Sequence, residues 1–256
     1  MLLLSLFMEN IPETHPRYMS LMTRKKISDA LNKGLVHETG LIAHGRGEAF
    51  DYLIGEKTIP AADDAEKIAA AALLIAQNPV ISVNGNVVVL SGIECISLSK
   101  EIPAKIEVNL FHRTKRRIKL LTSELLNFGA IEVYGSKGDS RIPGLDHDRG
   151  ICDSEGIFSS DVVLIPLEDG DRCQALKNMN KTVIAIDLNP LSRTAMTANI
   201  TIVDNVIRAI PNIGKWVKIL KYEDKNSLED LTSRWDNHKM ILEVCTYISK
   251  KLNSLF

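Results

Sequence analysis

The stretch TVIAIDLNPLSRTAMTANITIVDNV, residues 182–206, decides how this chain folds. Val183–Ile186 is a short continuous apolar run, the pattern of a parallel strand buried on both faces. It stops at Asp187-Leu188-Asn189-Pro190, because proline cannot continue a central strand. After Ser192, Arg193 and Thr194 a second run, Ile200–Val203, ends at Asp204-Asn205. Open α/β sheets bind ligands in the crevice beyond the carboxyl ends of their strands. Two strand ends carrying carboxylates, carboxamides and an arginine therefore read as half of a nucleotide site.

Working outward, strand-like runs recur at Val80–Val83, Lys105–Leu110, Ile131–Tyr134, Val162–Ile165 and Thr182–Ile186. Helical patterns separate most of them: Ala61–Gln77, Val88–Lys100, Thr114–Phe128 and Arg172–Met179. This alternation predicts right-handed βαβ crossovers and a Rossmann-like parallel sheet with helices on both faces. Pro16–Lys33, stopped by Gly34, and Glu48–Ile54 read as helices added at the N-terminal end, and Ser227–Leu255 as a helical C-terminal end. The expected division of this single α/β domain is a mainly helical part at 1–60, a core at 79–206 and C-terminal helices at 207–256. Residues 135–160 are rich in turn formers and have no period, which suggests a lid or a partner-contacting loop, with disorder as the alternative.

The 256 residues suffice for a full core, and a net charge of -1 gives no bulk field for nucleic acid or an anionic membrane. Any anionic ligand must be held by local arginines. The apolar start, MLLLSLFMEN, is too short to span a bilayer and lacks a basic flank, and Met8 is a possible alternative start. Four scattered cysteines with no CxxC pair argue against zinc or a disulfide framework and fit a reducing cytoplasm.

Polar clusters mark the expected site. Thr39–Tyr52 places His44, Arg46, Glu48 and Asp51 around two glycines ahead of a helix, an arrangement suited to an anion. The competing reading is a loop with a capped helix. Asn84-Gly85-Asn86 follows a strand and serves either as a turn or as a ligand contact. Arg113 beside a helix start is the candidate partner for a phosphate or carboxylate, whereas Lys115-Arg116-Arg117 reads as a solvated face. Glu168, Asp169 and Asp171 are candidate Mg²⁺ partners, or acidic residues favoured at a helix start. No GxxxxGK[ST], HExxH or GxSxG motif is present.

Taken together, HPRYMSL at 15–21, GLIAHGRGEAFDYLIGE at 40–56, PVISVNGN at 79–86, EVNLFHRT at 107–114, RIPGL, DVVLIPLEDGDR and IDLNPLSRTA resemble one family, the archaeal phosphopantothenate synthetases, or 4-phosphopantoate–β-alanine ligases. The resemblance spans roughly 11–240 and departs from the usual pattern at Cys173-Gln174 and in the basic run 113–117. It implies a homodimeric Rossmann-like enzyme that joins 4-phosphopantoate to β-alanine in coenzyme A biosynthesis, consuming ATP with Mg²⁺ and releasing AMP and pyrophosphate through an acyl-adenylate. It also implies ATP contacts from Arg24, Arg46, Asp187, Leu188, Asn189, Arg193, Thr194, Asn205 and Val206. Asn84, Asn86, Arg113, Asp51 and Tyr52 are then expected on the acyl-substrate side, with Arg46 catalytic and His44 or Glu48 as general base. The rival classes are a nicotinamide oxidoreductase, which needs a glycine fingerprint absent here, and a non-catalytic nucleotide sensor, which needs no second anion site.

Overall fold

The computed structural model describes residues 11–254, so the apolar N-terminal segment and the final two residues lie outside it. Its strands are β1 (Val80–Val83), β2 (Lys105–Val108), β3 (Ser140–Arg141), β4 (Ile151–Cys152), β5 (Val162–Pro166), β6 (Thr182–Ile186) and β7 (Ile200–Ile202). Five of them form one parallel sheet in the order β2-β1-β5-β6-β7, and β3 pairs with β4 in a small antiparallel ribbon. The helices are α1 (Tyr18–Asn32), α2 (Glu38–Ile54), α3 (Pro60–Ile75), α4 (Gly85–Glu101), α5 (Lys115–Asn127), α6 (Gly170–Asn178), α7 (Arg193–Thr197), α8 (Val206–Leu220), α9 (Lys225–Ser233) and α10 (Asn237–Asn253).

Strand period sorts the core into two layers, since alternate residues face opposite sides. Ile81, Leu164, Ile184 and Ile202 join the apolar faces of α3, α4 and α8, while Val80, Val163, Val183 and Ala185 face Cys173 and Leu176 of α6. Each fully buried Val, Leu or Ile stabilises the fold by roughly 1.5–3 kcal/mol. α8 contributes Ala209, Ile210, Ile213, Val217 and Leu220, the three-and-four spacing of a helix with one buried face. Among the described residues no helix is long and apolar enough to cross a membrane.

Three expectations change. Ile131–Tyr134 is not a strand: Ile131 is 91% exposed, and only Tyr134 meets the sheet, through a bridge to β2. Gly135 (φ +104°) then turns the chain so close to β2 that a Cβ there would lie 2.2 Å from the Val108 carbonyl oxygen. The C-terminal helix is two helices, α9 and α10, parted at Trp235-Asp236 with Asp236 capping the second.

The 135–160 segment is neither lid nor disordered. Its Ile142, Leu145, Cys152 and Ile157 pack under the second face of the sheet, so it serves as a covering layer. Buried carboxylates pin it. Glu107 of β2 accepts from the backbone N–H groups of Asp153 (3.0 Å) and Ile157 (2.6 Å), and Asp153 accepts from those of Gly135 and Gly138 (both 2.7 Å). Burial pushes the Glu107 carboxyl up to about 7 against the pull of those bonds. Sequence period could not show this because the segment holds itself by side-chain-to-backbone bonds rather than by regular structure.

Candidate functional site

The strand order reverses at β1, whose neighbours β2 and β5 are reached by connections running in opposite directions, so the switch point lies between β1 and β5. Those two strands pair only at Val80–Val163 and Ile81–Leu164 and then part. A cavity of about 370 Å³ opens beyond their ends, reached by loops that follow β1, β2, β5 and β6 and by the start of α8. Asn84 spans the gap: its Nδ2 donates to the Leu167 carbonyl at 2.9 Å, while its Oδ1 caps α4 by accepting from Val87 N–H at 3.1 Å. Leu167 has φ +55°, a left-handed conformation costly for a branched residue and held here at the cavity wall. Asn84-Gly85 is thus no free turn, and α4 begins directly at Gly85. A Cβ on Gly85 would stand 2.3 Å from the Leu35 carbonyl oxygen. Asn86 also lines the cavity and donates to the Gly40 carbonyl at 2.9 Å, tying α2 to α4.

The second wall is α2, which contributes a correction. The segment read as a glycine loop is helical from Glu38 onward, so its amides are spent within the helix and cannot cradle an anion as a loop. Its side chains meet the cavity instead: Thr39, His44, Arg46 and Glu48 all line it. His44 Nε2 is buried without a partner among the described residues, and desolvation, partly offset by Glu48, lowers its pKa. Glu48 is engaged by Arg24 (2.8 Å) and Ser20 (2.8 Å), which places both Glu48 and Arg24 in a pair rather than leaving either free. Asp51 does not face the cavity. It accepts from Arg208 (2.6 Å) and Asn205 (2.8 Å) inside a buried network joining α2 to α8, and Tyr52 lies outside the cavity under the Arg17 guanidinium. Asp51 shares the helix face of His44 and Gly47 but lies one to two turns further along it, where Asn205 and Arg208 take it up.

At the β6 and β7 ends, Leu188, Asn205 and Val206 line the cavity, and Asn205 caps α8. Asp187 accepts from Ser192 and from Asn189 N–H (2.9 Å); burial raises its carboxyl, opposed by those bonds and the Arg46 charge. Asn189 holds this turn, accepting from Leu191 N–H at 2.9 Å. Arg193 meets Asp171 at 2.5 Å and Thr194 Oγ1 donates to the Glu168 carbonyl at 2.8 Å, so the start of α7 is fastened to the start of α6.

The acidic triplet does not converge on a metal. Glu168 is buried between Arg149 and Arg172, Asp169 faces Arg149 at 3.2 Å, and Asp171 faces Arg193. Among the described residues no group of three or more His, Cys, Asp or Glu is placed to hold a metal ion. Glu168 and Asp169 compensate the buried Arg149 and Arg172, while Asp171 and Arg193 form an exposed pair.

Arg113 is likewise displaced. Its Nη2 donates to the Gly135 carbonyl at 2.6 Å, and the arginines lining the cavity are Arg46, Arg117 and Arg149. Arg117 belongs to the run read as solvated, and Arg149 to the patternless segment. Helical spacing from the Thr114 cap could have flagged Arg117, since Arg113 and Arg117 stand one turn apart, but no local signal marks Arg149. His37 and His112, also in the lining, stack with ring centroids 3.8 Å apart.

Comparison with known proteins follows this geometry. Residues 61–251 match the family model of phosphopantothenate/pantothenate synthetase. The 4-phosphopantoate–β-alanine ligase of Thermococcus kodakarensis is 49% identical over 97% of this chain and 95% of its own length. The ligase of the same name from Methanosarcina mazei is 49% identical over 97% of this chain and 98% of its own. The match takes in the β1, β5, β6 and β7 ends that surround the cavity, and the chain belongs to the phosphopantothenate/pantothenate synthetase family.

Proposed function

We propose that this chain is a 4-phosphopantoate–β-alanine ligase, using ATP to form 4'-phosphopantothenate in coenzyme A biosynthesis. The observation that carries the reading is the charge pattern of one cavity at the switch point. Of its three arginines, Arg149 is neutralised by Glu168 and Asp169, while Arg46 and Arg117 form no ion pair among the described residues. Two unspent cations suit two anionic reactants, a nucleotide and a phosphorylated acid. A nucleotide sensor would need only one, and a nicotinamide oxidoreductase finds no glycine fingerprint here.

Amide formation in water requires an activated acyl group. In this reading the acid's carboxylate attacks the α-phosphorus of ATP, pyrophosphate leaves, and the β-alanine amine then displaces AMP from the acyl-adenylate. Arg46, with the strand ends at Leu188 and Asn205-Val206, holds the nucleotide. A preorganised guanidinium offsets repulsion between the two anions and stabilises charge growing on the phosphoryl oxygens. Holding carboxylate and phosphorus in line accounts for much of the remaining acceleration. His44 is the general base for the β-alanine ammonium, because its lowered pKa keeps the imidazole neutral and its buried Nε2 has no other partner. Glu48, already bonded to Arg24, serves to position that arginine. Mg²⁺ enters only as the counter-ion of the nucleotide, with no residue assigned to it. A homodimer, as the sequence resemblance implies, and a reducing cytoplasm, which free thiols at all four cysteines fit, complete the reading.

The test is turnover by the folded chain with ATP, Mg²⁺, 4-phosphopantoate and β-alanine, with nucleotide products resolved. AMP and pyrophosphate in step with amide support the reading. ADP and inorganic phosphate would replace the adenylate by an acyl phosphate, and no amide at all would overturn the assignment.

A further inference from the structure

The cavity has two ends. α2 runs along its wall, and His37, which caps the helix, is separated from Arg46 by roughly 13 Å at 1.5 Å rise per residue. The Arg46 end adjoins the nucleotide strand ends, since a Cβ on Gly47 would touch Leu188 at 3.4 Å. The His37 end is built differently: His37, His112 and Arg117 gather there from the start of α2, the loop after β2 and the first turn of α5.

Arg117 is half-buried and fixed. Its Nη1 donates to the His112 carbonyl at 2.7 Å and its Nη2 to the Leu35 carbonyl at 3.1 Å, neither of which cancels its charge. Its Nε–H is buried and has no partner. The His112 ring stacks on His37 and makes no side-chain hydrogen bond among the described residues, where His37 spends Nδ1 on Thr39 and leaves its Nε2 uncommitted. The groups that bear on the pair electrostatically are Arg117 and, exposed in the first turn of α2, Glu38. One fixed guanidinium with the His112 ring and the free Nε2 of His37, and no ion-paired carboxylate among the described residues, is chemistry for a phosphate dianion rather than for a hydroxyl.

Resting on the ligase reading, we propose that His37, His112 and Arg117 recognise the phosphate ester of the acyl substrate, and that this end of the cavity makes the chain select the phosphorylated acid over free pantoate. The matched family spans both phosphopantothenate and pantothenate synthesis, so the choice between the two acids has to be made by residues, and these are the ones placed to make it. A phosphate dianion meeting a guanidinium gains charge-assisted bonds that a hydroxyl does not, and each imidazole can donate a ring N–H to it.

The experiment compares full-length wild type with Arg117→Gln, His112→Gln and His37→Asn, the last chosen because asparagine also caps helices. Binding of 4-phosphopantoate and of pantoate is measured by calorimetry without ATP, and steady-state rates are measured with both acids. Wild type should bind the phosphorylated acid more tightly by a factor of about ten or more, the scale of one charge-assisted bond. Arg117→Gln should erase most of that factor, and each histidine change should erase part of it. The KM for ATP should stay within about twofold. If Arg117→Gln fails to fold, the two histidine variants decide, because His112 carries no structural side-chain bond. Equal binding of both acids by wild type, or equal losses for both acids in the variants, overturns the proposal. Phosphate-selective binding without any amide product would keep this site and overturn the ligase reading instead.

Discussion

Asn84 Nδ2 donates to the Leu167 carbonyl across the gap where β1 and β5 part, so one side chain both caps α4 and fixes the floor of the cavity. Asn84→Ala should therefore cost stability by about 1–3 kcal/mol, combining a lost cap with a lost cross-link. Asn84→Asp keeps the capping acceptor and loses the donor, so it should recover part of that loss. Urea midpoints of the three proteins measure this. An unchanged midpoint for Asn84→Ala would mean that the bond across the gap contributes nothing.

Arg46 and Arg193 stand in different environments, and their variants should differ. Arg46 lines the cavity without an ion pair among the described residues, and Arg46→Ala should weaken ATP use about tenfold or more. Arg193 is exposed and paired with Asp171. Arg193→Ala should weaken ATP use in the same direction but by less, because part of its charge is already compensated. Michaelis constants for ATP separate the two, and normal values in both variants would place the nucleotide elsewhere.

Asp51 and Glu168 should behave as structural residues. Asp51→Ala strands Arg208 beside a single remaining carboxylate, and Glu168→Ala removes the ion-pair partner of the fully buried Arg172. Breaking buried pairs of this kind costs roughly 3–5 kcal/mol, somewhat less for Arg208, which is partly exposed. Protein that remains folded should keep the wild-type Mg²⁺ requirement. A selective change in the Mg²⁺ requirement of Glu168→Ala would restore that carboxylate as a metal partner.

His44 should set the acid limb of the rate profile. Its pKa is lowered by burial, so the neutral base persists below the ordinary 6.5 and kcat should fall only at lower pH. His44→Gln should lose that limb and slow amide formation about 100-fold or more. The same depressed pKa makes His44 destabilising as pH falls from 6.5 through its folded value, because the unfolded state takes up the proton first. A pH–rate profile identical in wild type and variant would assign the base elsewhere.

Glu66, which does not line the cavity, gives a separate stability signature. Its carboxyl is buried, and burial, then the nearby Asp204 charge, push its pKa from the ordinary 4.5 up to about 9. A raised folded pKa contributes stability that is complete below the unfolded value and is lost as pH rises through the folded one. Wild type should lose stability relative to Glu66→Gln as the solution goes from pH ~5 to alkaline, the isosteric amide carrying no such proton. Parallel denaturation midpoints would show that Glu66 is already ionised in the fold.

The sequence by itself determined the layered α/β architecture, because strands buried on both faces read as short, mostly apolar runs, and Val80–Val83, Val162–Ile165, Thr182–Ile186 and Ile200–Val203 follow that pattern with only Ser82, Thr182 and Thr201 interrupting. It also marked the strand ends where Asn84, Leu188 and Asn205 meet the cavity, since polar residues crowd there in an otherwise apolar context. Only the tertiary structure decided the rest. Ile131–Tyr134 has strand composition but reaches the sheet through one bridge. Gly45 and Gly47 suggest a loop yet sit inside α2, whose packing outweighs a propensity cost of about 1 kcal/mol per glycine. Which cations are free is the least local property of all. Arg149 is silenced by carboxylates that lie at 168–169 in the sequence, Arg113 is turned onto the Gly135 carbonyl, and Arg117, one turn further along, faces the cavity. Charge compensation acts through space between segments the fold brings together, whereas hydrophobic period acts along the chain, and that is why the sheet was readable in the sequence and the cation pattern of its cavity was not.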